Sequence, residues 1–326
     1  MLAAFAVAGS FAGGGAPIPE PGYHRASDVF SELALVSENN PRVATQFEIG
    51  TSVEGRTIYA WRIRDPSVPA AGKLLVFGNI HAMEWVPTEV ALAFALDLVA
   101  APILGVEVVV VPSLNVDGRD RVERDLITGK NTYRRRNANG VDLNRDFAIN
   151  RESKAIWKAI IPRRYAVSPA PLSQPESQAI DSLAATEQFD AAVSLHSFGG
   201  FFYYPWSGLW ARTLDQDELH RLGVVMRDAM DKHPYKPMQL SRWGFYFRGL
   251  GMEVDHLYGR YGAMSFLVET TRSGIESIDD LGTYFRWYNP RDPARHVDEG
   301  VRYLRALAGE VAAGRAKRVA PPAPLP

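Results

Sequence analysis

The chain alternates short, continuous apolar runs with longer segments whose apolar residues recur at helical spacing. Residues 73–77 (KLLVF) and 106–111 (VEVVVV) are too short for core helices and predict strands. A continuous apolar run is typical of strands that are covered on both faces, as in parallel sheets. The alternation therefore predicts an α/β fold, with a mixed or parallel sheet between layers of helices.

Further elements are predicted from apolar spacing and from capping signals. Ser27 is the expected N-cap of the first helix, and Ser173 with Glu176 has the spacing of a capping box, with Pro175 in the first turn. The other predicted strands cover residues 45–49, 57–63, 190–195 and 263–268. The predicted helices cover residues 26–38, 88–100, 173–189, 214–233 and 294–313.

The length of 326 residues suggests about two domains, at about 150 residues per domain. No internal repeat or long linker divides the chain, so we predict one folded domain over residues 23–313 and a proline-rich tail over residues 314–326. Residues 1–22 are an apolar segment, either a disordered tail or a secretory signal that lacks its positive region. The signal-like pattern favours a secreted or periplasmic protein, with a cytoplasmic one as the alternative.

Composition excludes several classes of function. Lys and Arg total 36 and Asp and Glu total 37, which leaves a net charge of -1 and no basic excess for binding nucleic acid. No apolar run reaches the ~20 residues of a membrane-spanning helix, so we expect no stable membrane insertion. The chain has no cysteine, which excludes thiol nucleophiles, thiolate metal sites and iron–sulfur clusters. We expect a monomer.

Histidines and glutamates follow three of the predicted strands. His81 and Glu84 come shortly after residues 73–77, His196 directly after residues 190–195, and Glu269 directly after residues 263–268. Ligands of open α/β sheets bind beyond the carboxyl ends of the strands, so these side chains are expected to converge. Two His and one Glu are the three-ligand set of catalytic zinc, and the other Glu is then a candidate base.

A polar, basic segment lies between Glu84 and His196 in the sequence. It reads YRRRNANGVDLNR over residues 133–145 and contains Asn144 and Arg145. One interpretation is a solvated basic loop. The other is a binding site, because a guanidinium binds a carboxylate with two hydrogen bonds and a second arginine can stabilise an oxyanion. Zinc, a carboxylate anchor and an oxyanion donor together indicate a peptidase that acts at a free C-terminus.

The chain resembles the zinc metallocarboxypeptidases, the family of pancreatic carboxypeptidases A and B, in the form of a bacterial-type single catalytic domain. The matching segments occur in order over residues 23–313: IGTSVEGRTI, HAMEW, NVDG, GVDLNRDF, SLHS and LVET. The resemblance implies a three-layer α/β/α sandwich around a mixed, mainly parallel twisted sheet, with the zinc site at its carboxyl edge. It also implies a peptide substrate that has a free C-terminal carboxylate.

The resemblance assigns roles to particular residues. His81, Glu84 and His196 would hold one Zn²⁺, Glu269 would be the general base and then the acid, and Asn144 and Arg145 would bind the terminal carboxylate. The oxyanion donor aligns with Arg135, counting from the NANGVDLNR segment, or with Arg134, counting from the Trp-Arg pair of the digestive enzymes. The candidates for the specificity region are Tyr246, Phe247, Val254 and Asp255.

The specificity region departs from the family pattern. Phe247 stands where the family usually has a mobile tyrosine, eight residues before Asp255, and Tyr246 is adjacent. The residue before that aspartate lines the pocket in the family; here it is Val254, which favours an apolar or aromatic terminal residue, although Glu253 lies one earlier.

We expect a promoted-water mechanism, in which Glu269 takes a proton from a zinc-bound water and returns it to the leaving amine. Three alternatives share the pattern: a murein-peptide amidase, an N-acyl amino acid deacylase and a catalytically silent binding homologue.

Overall fold

The computed structural model describes residues 20–232 and 234–322 and contains one eight-stranded sheet between helices. The strands are β1 Ala44–Thr51, β2 Thr57–Arg64, β3 Gly72–Phe77, β4 Val106–Val111, β5 Ala191–His196, β6 Phe201–Tyr204, β7 Lys236–Gln239 and β8 Met264–Glu269. The α-helices are α1 Ala26–Asn39, α2 Val86–Ala100, α3 Val116–Ile127, α4 Trp157–Ile160, α5 Pro175–Glu187, α6 Gln216–Asp228, α7 Glu253–Tyr261, α8 Tyr284–Tyr288 and α9 Ala294–Ala312. Short 3-10 turns cover Leu143–Arg145, Pro162–Tyr165, Leu240–Arg242 and Ile278–Gly282.

The sheet has the order β1-β2-β4-β3-β5-β8-β6-β7 and is mixed. Its centre, β4-β3-β5-β8, is parallel, β6 pairs with β7 in parallel, and β1, β2 and β6 make the antiparallel pairs. Every residue of β4 and β5 is buried, because helices cover both faces of the sheet. The predicted three-layer α/β/α architecture is confirmed.

Alternate residues of the central strands pack into two cores, one on each face. Leu74 and Val76 of β3 face a core to which α2, α6 and α9 contribute, and Leu75 and Phe77 face a core to which α5 and α7 contribute. This alternation follows from the two-residue period of a strand. The helices on both faces leave the carboxyl ends of the central strands at one edge of the sheet.

The predicted N-caps are wrong. Helix α1 has Arg25 at its N-cap, and the Ser27 hydroxyl lies inside the helix, 3.2 Å from Asp28. Helix α5 begins at Pro175 with Gln174 at the N-cap, so Ser173 and Glu176 form no capping box. The hydroxyl of Ser173 donates instead to the Asp146 carboxylate, at 2.6 Å, since that acceptor arrives from another part of the chain.

The helix predicted over 214–233 is shorter, because α6 ends at Asp228; position 233 lies outside the described residues. Two short strands, β6 and β7, and helices α3 and α7 were not predicted. A four-residue strand carries too few alternations to be recognised from its pattern. None of the helices in the described ranges is long and apolar enough to cross a membrane.

The described residues that flank the predicted domain, 20–22 and 314–322, make contacts with the domain. Glu20 pairs with Arg286, the Ala316 side chain is fully buried, and the Val319 N–H donates to the Gly262 carbonyl at 2.8 Å. Residues 1–19 of the predicted apolar segment, which include the signal-like part, and residues 323–326 of the tail lie outside the described residues. The boundaries at residues 23 and 313 stay a prediction.

Candidate metal centre

The three strands that precede the candidate ligands are neighbours in the sheet. Strand β5 lies between β3 and β8, and all three run parallel. His196 ends β5 and is paired in register with Glu269, which ends β8. His81 and Glu84 follow β3 in a short loop before α2. The expected convergence at the carboxyl edge is therefore present.

The loop that carries His81 and Glu84 is organised by Asn79. Its backbone adopts a φ of 56°, and its side-chain N–H groups donate to the carbonyls of His81, Ala82 and Glu84 at 3.0–3.3 Å. The Ser113 hydroxyl donates to the side-chain oxygen of Asn79, Oδ1, at 2.8 Å. Asparagine tolerates this left-handed conformation better than most residues, so one side chain both turns the chain and fixes the loop.

His81, Glu84 and His196 place one donor atom each within 4.8 Å of one another. His81 Nδ1 lies 2.7 Å from Glu84 Oε1, and His196 Nδ1 lies 3.1 Å from both Glu84 Oε2 and His81 Nδ1. Each of the three residues is only 2% exposed. Two imidazole nitrogens and a carboxylate oxygen, facing one point, fit the ligand set of zinc.

Carboxylates lie behind both histidines. Asp142 Oδ1 is 3.3 Å from His81 Nε2, and Glu253 Oε1 is 3.0 Å from His196 Nε2. Burial would lower the pKa of His196, but the carboxylates of Glu253 and Glu84 raise it to about 10. The same negative charge that holds a proton on the ring favours a cation beside it.

Glu269 stands beside this group with a carboxyl oxygen, Oε2, that is buried and has no hydrogen-bond partner among the described residues. Burial raises the pKa of the Glu269 carboxyl to about 8, the nearby Glu84 adds to the rise, and His196 and Arg135 oppose it. A carboxyl that changes protonation state near neutral pH suits a group that takes a proton and returns it.

A cavity of about 720 Å³ opens onto these side chains. Arg135 lines it, donates from Nε to Asp142 Oδ2 at 2.8 Å, and has Nη1 3.8 Å from Glu84 Oε1. Asn144 and Arg145 also line it, at the 3-10 turn Leu143–Arg145, and the Asn144 Oδ1 atom is buried with no partner among the described residues. The guanidinium groups of Arg135 and Arg145 are therefore candidate donors for anionic oxygens in the cavity that the metal ligands also line.

One wall of the cavity is apolar. Tyr203 and Leu267 are paired in register on β6 and β8, and Leu240, Met252 and Phe247 extend the same surface. Leu267 comes two residues before Glu269 on β8, so both side chains lie on one face of the strand. Within the described chain, this wall bears no charged side chain.

Four of the predicted site residues do not line this cavity. Arg134 points to Asp125, to which Nη2 donates at 3.1 Å, and Tyr246 packs its ring against Trp243 and Phe245. Only Arg135 of the adjacent pair lines the cavity, because Asp125 holds the Arg134 guanidinium. Phe247 lines it where Tyr246 does not.

Val254 and Asp255 are fully buried and do not line the cavity, and Val254 packs in the same cluster as Leu240, Met252 and Leu267 of the apolar wall. Asp255 accepts from the N–H groups of Ser207 and Gly208 at 2.6 and 3.0 Å, and from the Asn150 amide at 2.7 Å. Burial raises the pKa of Asp255 to about 6, and these hydrogen bonds limit the rise. Neither residue lines the cavity, and their assignment to substrate contact stays a prediction.

Sequence reasoning missed the residues that shape the wall. Leu240, Met252 and Leu267 are ordinary apolar residues in the sequence, and only the fold places them on one surface. It also missed Asn79, for which a Gly-Asn pair directly after a strand was an available turn signal. The NVDG segment is structural: Asn115 caps α3, and Asp117 holds the turn between β1 and β2 through Ser52 and the Glu54 N–H.

The fold and the site together define an α/β protein with a buried His₂Glu zinc site at the carboxyl edge of its sheet. The sequence profile described as zinc carboxypeptidase matches residues 29–286, which is most of the chain. The chain therefore belongs to the zinc carboxypeptidase family.

The similar proteins carry carboxypeptidase names. Carboxypeptidase B2 of Homo sapiens is 25% identical over 285 residues, covering 80% of this chain, and the chain spans 64% of that relative's length. Carboxypeptidase E of Caenorhabditis elegans is 30% identical over 144 residues, which cover 38% of this chain and 29% of the relative.

Solved structures share the fold. Carboxypeptidase A from Helicoverpa armigera superposes with a TM-score of 0.72 at 22% identity, over 90% of this chain and 74% of that one. Bovine thrombin-activatable fibrinolysis inhibitor, in complex with tick carboxypeptidase inhibitor, has a TM-score of 0.72 at 20% identity, over 90% of this chain and 98% of that one.

Proposed function

We propose that the protein is a zinc-dependent exopeptidase that hydrolyses the C-terminal peptide bond of peptides. One observation carries the proposal: a zinc ligand set, the Glu269 carboxyl, whose Oε2 has no hydrogen-bond partner in the part of the chain that is described, and the guanidinium-bearing residues Arg135 and Arg145 share one cavity. These are the parts that hydrolysis beside a free carboxylate requires.

His81, Glu84 and His196 would hold the zinc ion, which when bound polarises the scissile carbonyl and lowers the pKa of a water towards ~7. Glu269 takes the proton of the attacking water on its carboxylate and then delivers it to the amine that leaves. Arg135, which is held in place by Asp142, donates to the oxygen that becomes negative in the transition state.

Asn144 and Arg145 bind the terminal carboxylate, Asn144 from its amide and Arg145 from its guanidinium. A bound carboxylate fixes the last residue of the peptide, so the bond that reaches Glu269 is the last one in the chain. The apolar wall of Leu240, Met252 and Leu267 supports a preference for an apolar or aromatic terminal side chain.

The test is zinc content together with release of terminal amino acids from synthetic peptides. We expect one zinc per chain, release of Phe or Leu rather than Lys or Asp, and a loss of turnover in Glu269→Gln with zinc retained. Full turnover in that variant would contradict the role of Glu269.

The carboxylate anchor is tested separately. Arg145→Ala should lower kcat/KM on free-acid peptides by about 10²–10³-fold, as expected when one partner of a buried charged hydrogen bond is removed at about 2–5 kcal/mol. C-terminally amidated peptides are the control, since they lack the carboxylate. An equal loss on both would contradict anchoring.

We further propose that the protein acts as a secreted or periplasmic monomer. The apolar, signal-like residues 1–16 support export. Fractionation of cells that express the full chain, with size-exclusion chromatography of the product, tests both statements; cytoplasmic retention or a dimer would contradict them.

A further inference from the structure

Glu253 is a buried carboxylate whose partner is a metal ligand. It is the first residue of α7 and is fully buried, and its Oε1 lies 3.0 Å from His196 Nε2. The other ring nitrogen, Nδ1, is the one that faces His81 and Glu84. Glu253 therefore contacts the side of the imidazole that points away from the metal position.

Among the described residues, the one basic partner of the Glu253 carboxylate is the His196 imidazole, which Glu253 shares with Glu84. No Lys or Arg in that part of the chain forms an ion pair with Glu253, and its Oε2 atom is buried without a hydrogen-bond partner there. Asp142, behind His81, differs in that its other oxygen pairs with Arg135 at 2.8 Å. Two buried carboxylates that share one imidazole leave this site with an excess of negative charge, so the site gains from a bound cation.

We propose that Glu253 is a positioning residue of the metal centre, which keeps the proton of His196 on Nε2, turns Nδ1 towards the metal and stabilises the bound cation. A carboxylate that accepts from the far nitrogen of a metal-binding histidine fixes its tautomer and orientation and strengthens the ligand. The inference rests on the proposed zinc site and adds a fourth carboxylate to it, besides Glu84, Asp142 and Glu269.

The position of Glu253 makes this orientation rigid. Helix α7 is anchored at its start by Asp255, which accepts three hydrogen bonds, and by the Val254 carbonyl, which accepts from the Ser265 hydroxyl at 2.6 Å. Ser194 Oγ, 3.0 Å from His196 Nε2, is a second partner of the same nitrogen and is neutral. Because only Glu253 is charged, its effect on zinc binding can be distinguished from that of Ser194 by comparing variants of the two residues.

The test is Glu253→Gln, which keeps the size and an acceptor oxygen but removes the charge. Zinc affinity, measured by competition with a chromogenic chelator, should fall about 10–100-fold. The Tm of the metal-free protein is measured beside it, because loss of the buried ion pair with His196 lowers that Tm whether or not Glu253 supports the metal. A purely structural residue would lower that Tm and leave the zinc affinity of the folded fraction unchanged.

Glu299→Gln is the matched control. Glu299 is also a buried carboxylate, but it accepts from the N–H groups of Asp231 and Lys232 and contacts none of the metal ligands. This variant should lower the Tm and keep zinc affinity within about two-fold. Ser194→Ala should weaken zinc less than Glu253→Gln does; the reverse order would overturn the proposal.

A measurement on the unmodified protein covers the case in which Glu253→Gln does not fold. In ¹⁵N-histidine spectra of the zinc form, His196 should carry its proton on Nε2 and bind through Nδ1. Binding through Nε2 would overturn the proposal. Unchanged zinc affinity in Glu253→Gln would overturn this proposal and leave the proposed function standing. An unmodified protein that binds no zinc would overturn both.

Discussion

At the scale of single residues, the site depends on which of two adjacent arginines faces the cavity. Arg135 lines it and pairs with Asp142, whereas Arg134 pairs with Asp125. The sequence does not decide which of the two is the oxyanion donor, because the two possible alignments with the family differ by one residue. The direction of a side chain along an irregular loop depends on the tertiary contacts of that loop, which no local pattern contains.

The two arginines form a matched pair for mutation. Arg135→Ala should lower kcat by about 10²–10³-fold, as for the loss of one oxyanion donor. Arg134→Ala should leave kcat within about two-fold and cost about 1–3 kcal/mol of stability, since it removes the guanidinium that pairs with the buried Asp125 carboxylate. Steady-state kinetics and denaturant unfolding measure both; equal losses of kcat would contradict the assignment.

The metal ligands and the candidate base Glu269 were predictable from their residue types together with their positions after apolar strand segments. His81, His196 and Glu269 each follow a strand that composition alone identifies, and parallel strands end at one edge. The sequence pattern drew attention to Glu253 only as a neighbour of Val254. Its contact with His196 depends on the packing of α7 against β5 and β8, which the sequence pattern does not specify.

At the scale of secondary-structure elements, Asp146 connects the segment that carries Arg145 to helix α5. Its carboxylate accepts from the Ser173 hydroxyl at 2.6 Å, from the Gln174 N–H at 3.0 Å and from the Ser177 hydroxyl. The helix start is thus capped by a residue about thirty positions earlier. Local capping rules pointed to Ser173 because they consider only the flanking residues.

Asp146→Ala should therefore destabilise the protein by about 2 kcal/mol, because it removes a cap and leaves buried donors without an acceptor. Ser27→Ala, at the N-cap position that the sequence predicted for α1, should change stability by no more than about 0.5 kcal/mol. Urea unfolding of the two variants beside the unmodified protein measures the difference. A larger effect at Ser27 would contradict the structural assignment.

At the scale of the whole molecule, Glu310 joins the last helix to two other segments. Arg315 donates to its carboxylate at 2.6 Å from the chain after α9, and Arg221 donates at 2.7 Å from α6. The Arg315 hydrogen bonds, opposed by burial and aided by Arg221, lower the pKa of Glu310 below its ordinary value. The sequence placed residue 315 in a separate tail, because a proline-rich composition does not show which surface a segment packs against.

The lowered pKa gives a stability contribution with a defined sign. The ionised form is favoured in the folded protein, so the contribution is present above the unfolded pKa, about 4.3, and is lost as pH falls through the folded value. Glu310→Gln should cost about 1 kcal/mol at pH 7, since both arginines are partly exposed and screened by solvent. Thermal unfolding of both proteins from pH 7 to pH 3 should show this difference shrink.

Glu218→Gln is the control, because Glu218 pairs with the same Arg221 within α6 and is more exposed. It should change stability by less than about 0.5 kcal/mol at all pH values. A difference between Glu310→Gln and the unmodified protein that does not vary with pH would contradict the ionic origin of the contribution.

The first turn of α7 has a consequence for anyone who redesigns this protein. Met252 forms part of the apolar wall, and the next residue, Glu253, contacts His196. A library that varies residue 252 to retarget the enzyme also shifts the backbone that holds the carboxylate behind a zinc ligand. Substrate selectivity and metal retention thus depend on two residues joined by one peptide bond. Such variants should be compared in buffers of fixed free zinc concentration, so that loss of the ion is not mistaken for a change in substrate preference.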